Sequence, residues 1–204
     1  MITKARNIIR DEGFSGIAAR LKHRLYLKTY IYKTPIPPHD DLLNTYDYQA
    51  LPLTPQLIEQ LEREHPVEFS KEKGQQLAKT LAPDSTDKVY VMVDTHGETM
   101  NYSCVSYGDN YEPRMRYNIR AIPENVYIFD CYTFENHRNK GVQKFSILSL
   151  FKEARNNGCK TATCMIDDGN IFSEKAFMKL GFERIGYIAT YNLLFFKPNT
   201  RTLY

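Results

Sequence analysis

In "ENHRNKGVQKFSIL" (residues 135–148), Arg138, Lys140 and Gly141 stand immediately ahead of an apolar-patterned segment. A strand that feeds a helix through a turn with a glycine presents free backbone amides, and with the helix macrodipole these make an anion site. The two cations suit a phosphate. A solvated turn would have the same composition, so the residues alone leave both readings open. No glycine-rich loop ends in GK[ST] and no GxGxxG occurs, which argues against P-loop and dinucleotide-binding turns. Asp130 is the second candidate. It is an acid inside the mostly apolar run "NVYIFDCYTF" (125–134), where it serves as a base, points to solvent or pairs with a cation. Metal chemistry finds no support: His23, His39, His65, His96 and His137 are scattered, without HExxH or paired Cys/His spacing.

The elements around these residues follow from periodicity. "KVYVMVD" (88–94), the turn "THGE" and "TMNYSCVSY" (99–107) read as a hairpin, and 125–134 as a central strand. Val142, Phe145, Leu148 and Phe151, with Ile147 and Ala154, form one helical face that ends at Gly158. "KTATCMI" (160–166) is another strand. "DDGN" leads into the short helix "IFSEKAFMKL", stopped by Gly181, and "FERIGYIATYNLLFF" supplies one or two last strands. Upstream, Thr54 caps a helix that has Pro55 in its first turn and Leu57, Ile58 and Leu61 at helical spacing.

The 204 residues hold 42% hydrophobic and 25% charged types, ordinary for a globular protein. A net charge of +3 does not imply a nucleic-acid partner. Cys104, Cys131, Cys159 and Cys164 lack CxxC spacing and read as buried thiols of a reducing compartment, so a cytoplasmic location is expected. There is no apolar run of 18 residues and no secretory signal pattern. Residues 1–33 carry +6 of the charge, and Ile17, Ala18, Leu21 and Leu25 share a helical face among Arg20, Lys22, Arg24 and Lys28. Such a helix packs on a domain by its apolar stripe or meets an anionic surface. The Pro-rich "TPIPPHDD" (34–41) ends it. The expected organisation is a basic helical extension with its linker over 1–41, then one domain over 42–204.

Residues 88–195 resemble the GNAT superfamily of acyl-CoA-dependent N-acyltransferases. Its [QR]-x-x-G-x-[GA] motif stands as Arg138-Asn139-Lys140-Gly141-Val142-Gln143. Its asparagine after the fifth strand is Asn170, and the GF eleven residues on is Gly181-Phe182, in "NIFSEKAFMKLGF". The resemblance implies an α/β (α+β) fold: a mixed, mostly antiparallel sheet, splayed at the cofactor site and flanked by helices. It also implies acetyl-CoA or another acyl-CoA as co-substrate, with no metal. The amides of Asn139, Lys140, Gly141, Val142, Gln143 and Lys144 would cradle the pyrophosphate. The main chain of Cys131, Tyr132 and Thr133 would bond the pantetheine arm, with Asn170 opposite and Ser173 beside it in the first helical turn. Asn170 is equally a helix cap.

Three positions depart from the pattern. Gln143 stands where the motif has Gly or Ala, so its side chain must swing away or touch the ligand. Phe177 stands where many members place a proton-donating Tyr, and Met165 where some place a Glu base. The amine still needs a base. Asp130, Glu135, His137, Tyr187 and Tyr191 are the candidates, with Asp130 foremost. The expected activity is transfer of an acetyl or other acyl group to a small-molecule or sugar amine. The alternative is a non-catalytic acyl-CoA-binding or scaffold protein. Expected partners exclude nucleic acid, include a peripheral membrane contact through residues 1–33, and leave a homodimer open.

Overall fold

The computed structural model describes residues 26–191 and 198–203. Along them lie β1 (Tyr26–Pro35), β2 (Gln49–Pro52), α1 (Pro55–Glu64), α2 (Lys71–Ala78), β3 (Asp87–Val93), β4 (Thr99–Ser106), β5 (Asn110–Glu112), β6 (Tyr117–Ile119), β7 (Asn125–Thr133), α3 (Val142–Asn156), β8 (Thr161–Asp167), α4 (Ile171–Met178), β9 (Glu183–Tyr191) and β10 (Asn199–Leu203). Eight strands form one sheet in the order β10-β9-β1-β8-β7-β4-β3-β2, and β5 and β6 form a separate hairpin. Neighbours in the large sheet run antiparallel, except β7 and β8, which are parallel.

Because strand side chains alternate in direction, the sheet buries two different faces. On one, Tyr32, Val105, Val126, Ile128 and Cys164 pack against Ile147, Leu150 and Phe151 of α3 and Phe177 of α4. On the other, Val89, Val91, Val93, Tyr102 and Cys104 meet Ile58 and Leu61 of α1 and Leu77 of α2. The β5–β6 hairpin covers the rest of that second face, seating Met115 on Ile31 and Ile188. Helices α1 and α2 start where short polar side chains accept first-turn amides. Thr54 accepts from Leu57 N at 3.2 Å and Ser70 from Lys73 N at 3.2 Å. No helix among the described residues is long and apolar enough to cross a membrane.

The boundary expected at residue 41 needs correction. Residues 26–35 are neither helical extension nor linker. They form β1, an inner strand paired with β8 on one side and β9 on the other. The alternation in "YLKTYIYK" decides it: Thr29, Ile31 and Tyr32 are buried on the two faces. The helical stripe Ile17, Ala18, Leu21 and Leu25 lies outside the described residues.

Candidate active site

The parallel pairing of β7 with β8 runs from Asn125↔Thr161 to Ile128↔Cys164 and then stops. Both strands continue, β7 to Thr133 and β8 to Asp167, so their ends diverge and leave a gap. On its far side β7 stays paired with β4 through a bulge. Tyr102 pairs with Tyr132 and Cys104 with Phe129, so Ser103 faces both Asp130 and Cys131. Asp130 takes a left-handed φ of 47°. A bulge leaves its extra residue out of the ladder, which frees backbone groups beside the gap. The strain of a non-glycine residue there is about 1–3 kcal/mol. The Asp130 carboxylate is held by Lys73 of α2, with Nζ 2.9 Å from Oδ2 and each side chain about a quarter exposed (28% and 26%).

Beyond β7, a short 3₁₀ turn over Glu135–His137 leads to Arg138. Asn139 and Gly141 then both take left-handed φ, 62° and 79°. Gly141 begins α3 without a side-chain cap, and the first turn of α3 holds no acid. The amides of that turn are therefore uncommitted to any side chain, unlike those of α1, α2 and α4, capped by Thr54, Ser70 and Asn170. Lys140 and Lys144 stand exposed around them. Arg138 is anchored: its Nε donates to the Thr133 carbonyl at 3.2 Å and its Nη2 to the Tyr132 hydroxyl at 3.2 Å. The turn is propped from behind by two tyrosines. The Tyr48 hydroxyl donates to the Lys140 carbonyl at 3.2 Å, and a Cβ at position 141 would come within 3.1 Å of the Tyr46 ring.

Gln143 turns inward. Its Oε1 accepts from the Thr133 hydroxyl at 3.0 Å, so its bulk lies between helix and sheet and leaves the outer surface of the turn clear. Cys131 lies partly buried against the α3-side core, where burial pushes its thiol up to about 12 while the Ser103 and Gln143 side chains pull the other way. Asn170 caps α4, its Oδ1 accepting from Ser173 N at 3.3 Å. Phe177 is buried edge-on to Phe182, ring centres 5.0 Å apart, and Met165 packs beside Ile31 and Met115.

Of the other candidate bases, Glu135 lies on the turn and its amide donates to Glu68 at 3.1 Å. His137 is buried edge-on to His65, its Nε2 3.1 Å from Glu98 Oε1. Tyr187 and Tyr191 lie on β9, which β1 separates from β8 and the gap, so the structure does not bring them to Asp130. Sequence reasoning missed Lys73, Tyr46 and Tyr48, and also Asp167 at the end of β8. Asp167 accepts from Thr29 Oγ1 at 2.8 Å and from Arg114 Nη1 at 2.6 Å. Among the described residues, no group of three or more His, Cys, Asp and Glu is placed to hold a metal.

A diverging parallel pair, a bulge beside the gap and an uncapped helix start thus follow one another along β7 and into α3. The family model described as "Acetyltransferase (GNAT) family" matches residues 54–182. The chain belongs to that family of acetyltransferases. A functionally unknown conserved protein from Staphylococcus epidermidis superposes with a TM-score of 0.59 at 9% identity, covering 88% of this chain and 68% of its own. AAC(6')-Iy, in complex with the bisubstrate analogue CoA-S-monomethyl-acetylneamine, gives 0.52 at 15% identity over 68% of this chain and 92% of its own. At such identities the likeness is one of fold. No curated protein matches the sequence.

Proposed function

We propose that the protein transfers an acetyl or other acyl group from acyl-CoA to the amine of a small molecule, with an amino sugar as the favoured acceptor. One observation carries the reading: the uncapped, lysine-flanked start of α3 continues the same strand whose bulge opens the gap to β8. Acyl-CoA supplies an acyl group activated as a thioester, whose thiol has a pKa of about 8.5 and leaves without a strong acid. The amides of Asn139, Lys140, Gly141, Val142, Gln143 and Lys144 bind the pyrophosphate, with Lys140 and Lys144 adding charge. The main chain at Cys131, Tyr132 and Thr133 takes the pantetheine arm along the gap, with Asn170 and Ser173 on the other side. The Asp130 carboxylate lies on the α2 side of the sheet, paired with Lys73, so the amine approaches from that face. There Asp130 accepts the amine proton as the new C–N bond forms and the C–S bond breaks, and Lys73 orients the carboxylate. Holding amine and thioester together supplies more of the rate than a lost acid removes.

The burial of Phe177 in the core, with Met165 partly buried beside Ile31 and Met115, favours a second reading, a non-catalytic acyl-CoA binder. Calorimetry with CoA and thiol release from acetyl-CoA over a panel of amines and amino sugars test both. We expect micromolar-range binding and amine-dependent release. Binding without release on any amine would favour the second reading. Gly141→Glu should weaken CoA binding at least about a hundredfold, through left-handed strain, collision with Tyr46 and charge repulsion. Unchanged affinity in a folded variant would refute the site.

A further inference from the structure

We infer that the Gln143 side chain is a positioning residue, closing a buried hydrogen-bonded loop that holds the phosphate-binding turn. The inference rests on the proposed coenzyme A site. The Ser146 hydroxyl of α3 donates to Ser103 Oγ at 2.8 Å, and Ser103 donates to Asn101 Oδ1 at 3.0 Å. Asn101 Nδ2 donates to Thr133 Oγ1 at 2.9 Å, and Thr133 donates to Gln143 Oε1 at 3.0 Å. Asn101 Nδ2 also lies 3.3 Å from Gln143 Oε1. The chain starts on α3, crosses β4 and β7, and returns to the first turn of α3. Its donors all point one way, the arrangement in which each bond polarises the next. Asn101, Ser103 and Ser146 are wholly buried, so water does not compete.

Its place gives this chain a function beyond cohesion. Thr133 is the last residue of β7 and Gln143 the second of α3. Between them lies the whole turn, with Asn139 and Gly141 in their left-handed conformations. The Thr133–Gln143 bond therefore staples the turn at its base, ten residues apart. Arg138 Nε and the Tyr48 hydroxyl brace the turn at its start and middle, and Gln143 braces its helical end. The cost is visible: Gln143 Nε2 is buried with no hydrogen bond of ordinary geometry and only the Cys131 thiol, a weak acceptor, within its influence. An orphaned donor calls for an explanation, and here it is the price of placing the amide oxygen on Thr133. A small residue at this position would give the backbone room but no staple.

Gln143→Met keeps the volume and removes the link, Thr133→Val removes it from the other end, and Thr133→Ser restores it. Calorimetry on the folded variants with CoA, and with 3′-phospho-ADP, which lacks the pantetheine arm, reads the turn directly. Gln143→Met and Thr133→Val should each weaken both ligands about five- to tenfold, the worth of one buried hydrogen bond. Thr133→Ser should bind like the parent, and the double variant should be no weaker than either single one. In the free protein, hydrogen exchange at Phe145 N, the first hydrogen-bonded amide of α3, should quicken while later turns of α3 stay protected. Parental affinity in Gln143→Met overturns the inference. So does a loss in Gln143→Met with none in Thr133→Val combined with Asn101→Leu, which strips both partners from Gln143 Oε1, because the amide would then touch the ligand itself. Absence of CoA binding by the unmodified protein overturns the site and this inference with it. If Gln143→Met does not fold, Thr133→Val reads the same bond.

Discussion

Asp130 combines left-handed backbone, a bulge and a lysine partner from another element. Asparagine tolerates the same backbone, so Asp130→Asn should keep the bulge and CoA affinity while lowering acyl transfer by about 10²–10⁴. Steady-state kinetics beside CoA calorimetry check this, and parental turnover in the variant would remove Asp130 from the chemistry. Phe177→Tyr should not restore a general acid. Its ring faces Phe182 in the core, so the added hydroxyl should cost about 1–3 kcal/mol of stability without raising the rate. Thermal unfolding and thiol-release assays read the two effects. The thiols should be inert at pH 8. Burial raises all four, Cys131 to about 12, so each stays protonated and slow toward a disulfide reagent until the protein unfolds. An acid in an apolar strand announced Asp130 in the sequence. Lys73, 57 residues away, did not announce itself, because its role exists only once α2 docks on the sheet.

The start of α3 was legible because its anion-binding features are local: a strand, a basic turn, a glycine and an amphipathic run. The props behind it were not. Tyr46 and Tyr48 come from a polar stretch about ninety residues upstream, and nothing in their spacing points to Gly141. β1 was misread for a different reason. Its lysines and the leucines just before it fit a helical period, while its burial on both faces depends on β8 and β9 arriving later. Two glycines separate strain from packing. Gly141 and Gly158 share a φ of 79°, but a Cβ at 141 meets Tyr46 at 3.1 Å and one at 158 meets nothing within 4 Å. Gly158→Ala should cost about 1–2 kcal/mol from backbone strain alone. Gly141→Ala should cost more and also weaken CoA binding. Equal unfolding temperatures for the two variants would show that the Tyr46 contact is unimportant.

At the scale of the molecule, β1 joins the β9–β10 edge to the β7–β8 gap. Deleting residues 1–35 should therefore leave an unfolded or insoluble chain rather than a trimmed enzyme. Circular dichroism of any soluble fraction decides, and a folded, CoA-binding product would show the sheet can close without that strand. The same placement bears on how the chain is born. Thr29 meets Asp167 138 residues further on, and Tyr26 waits for Tyr191. At ribosomal rates of about 5–20 residues per second, β1 spends on the order of ten seconds without either neighbour. It is then an alternating apolar strand open along both edges, the kind that pairs with other chains. Lys28, which flanks the helical stripe in the sequence reading, and Lys33 sit where charges discourage such pairing. The strand that comes first in the described sheet can be completed only after nearly all the rest has been made.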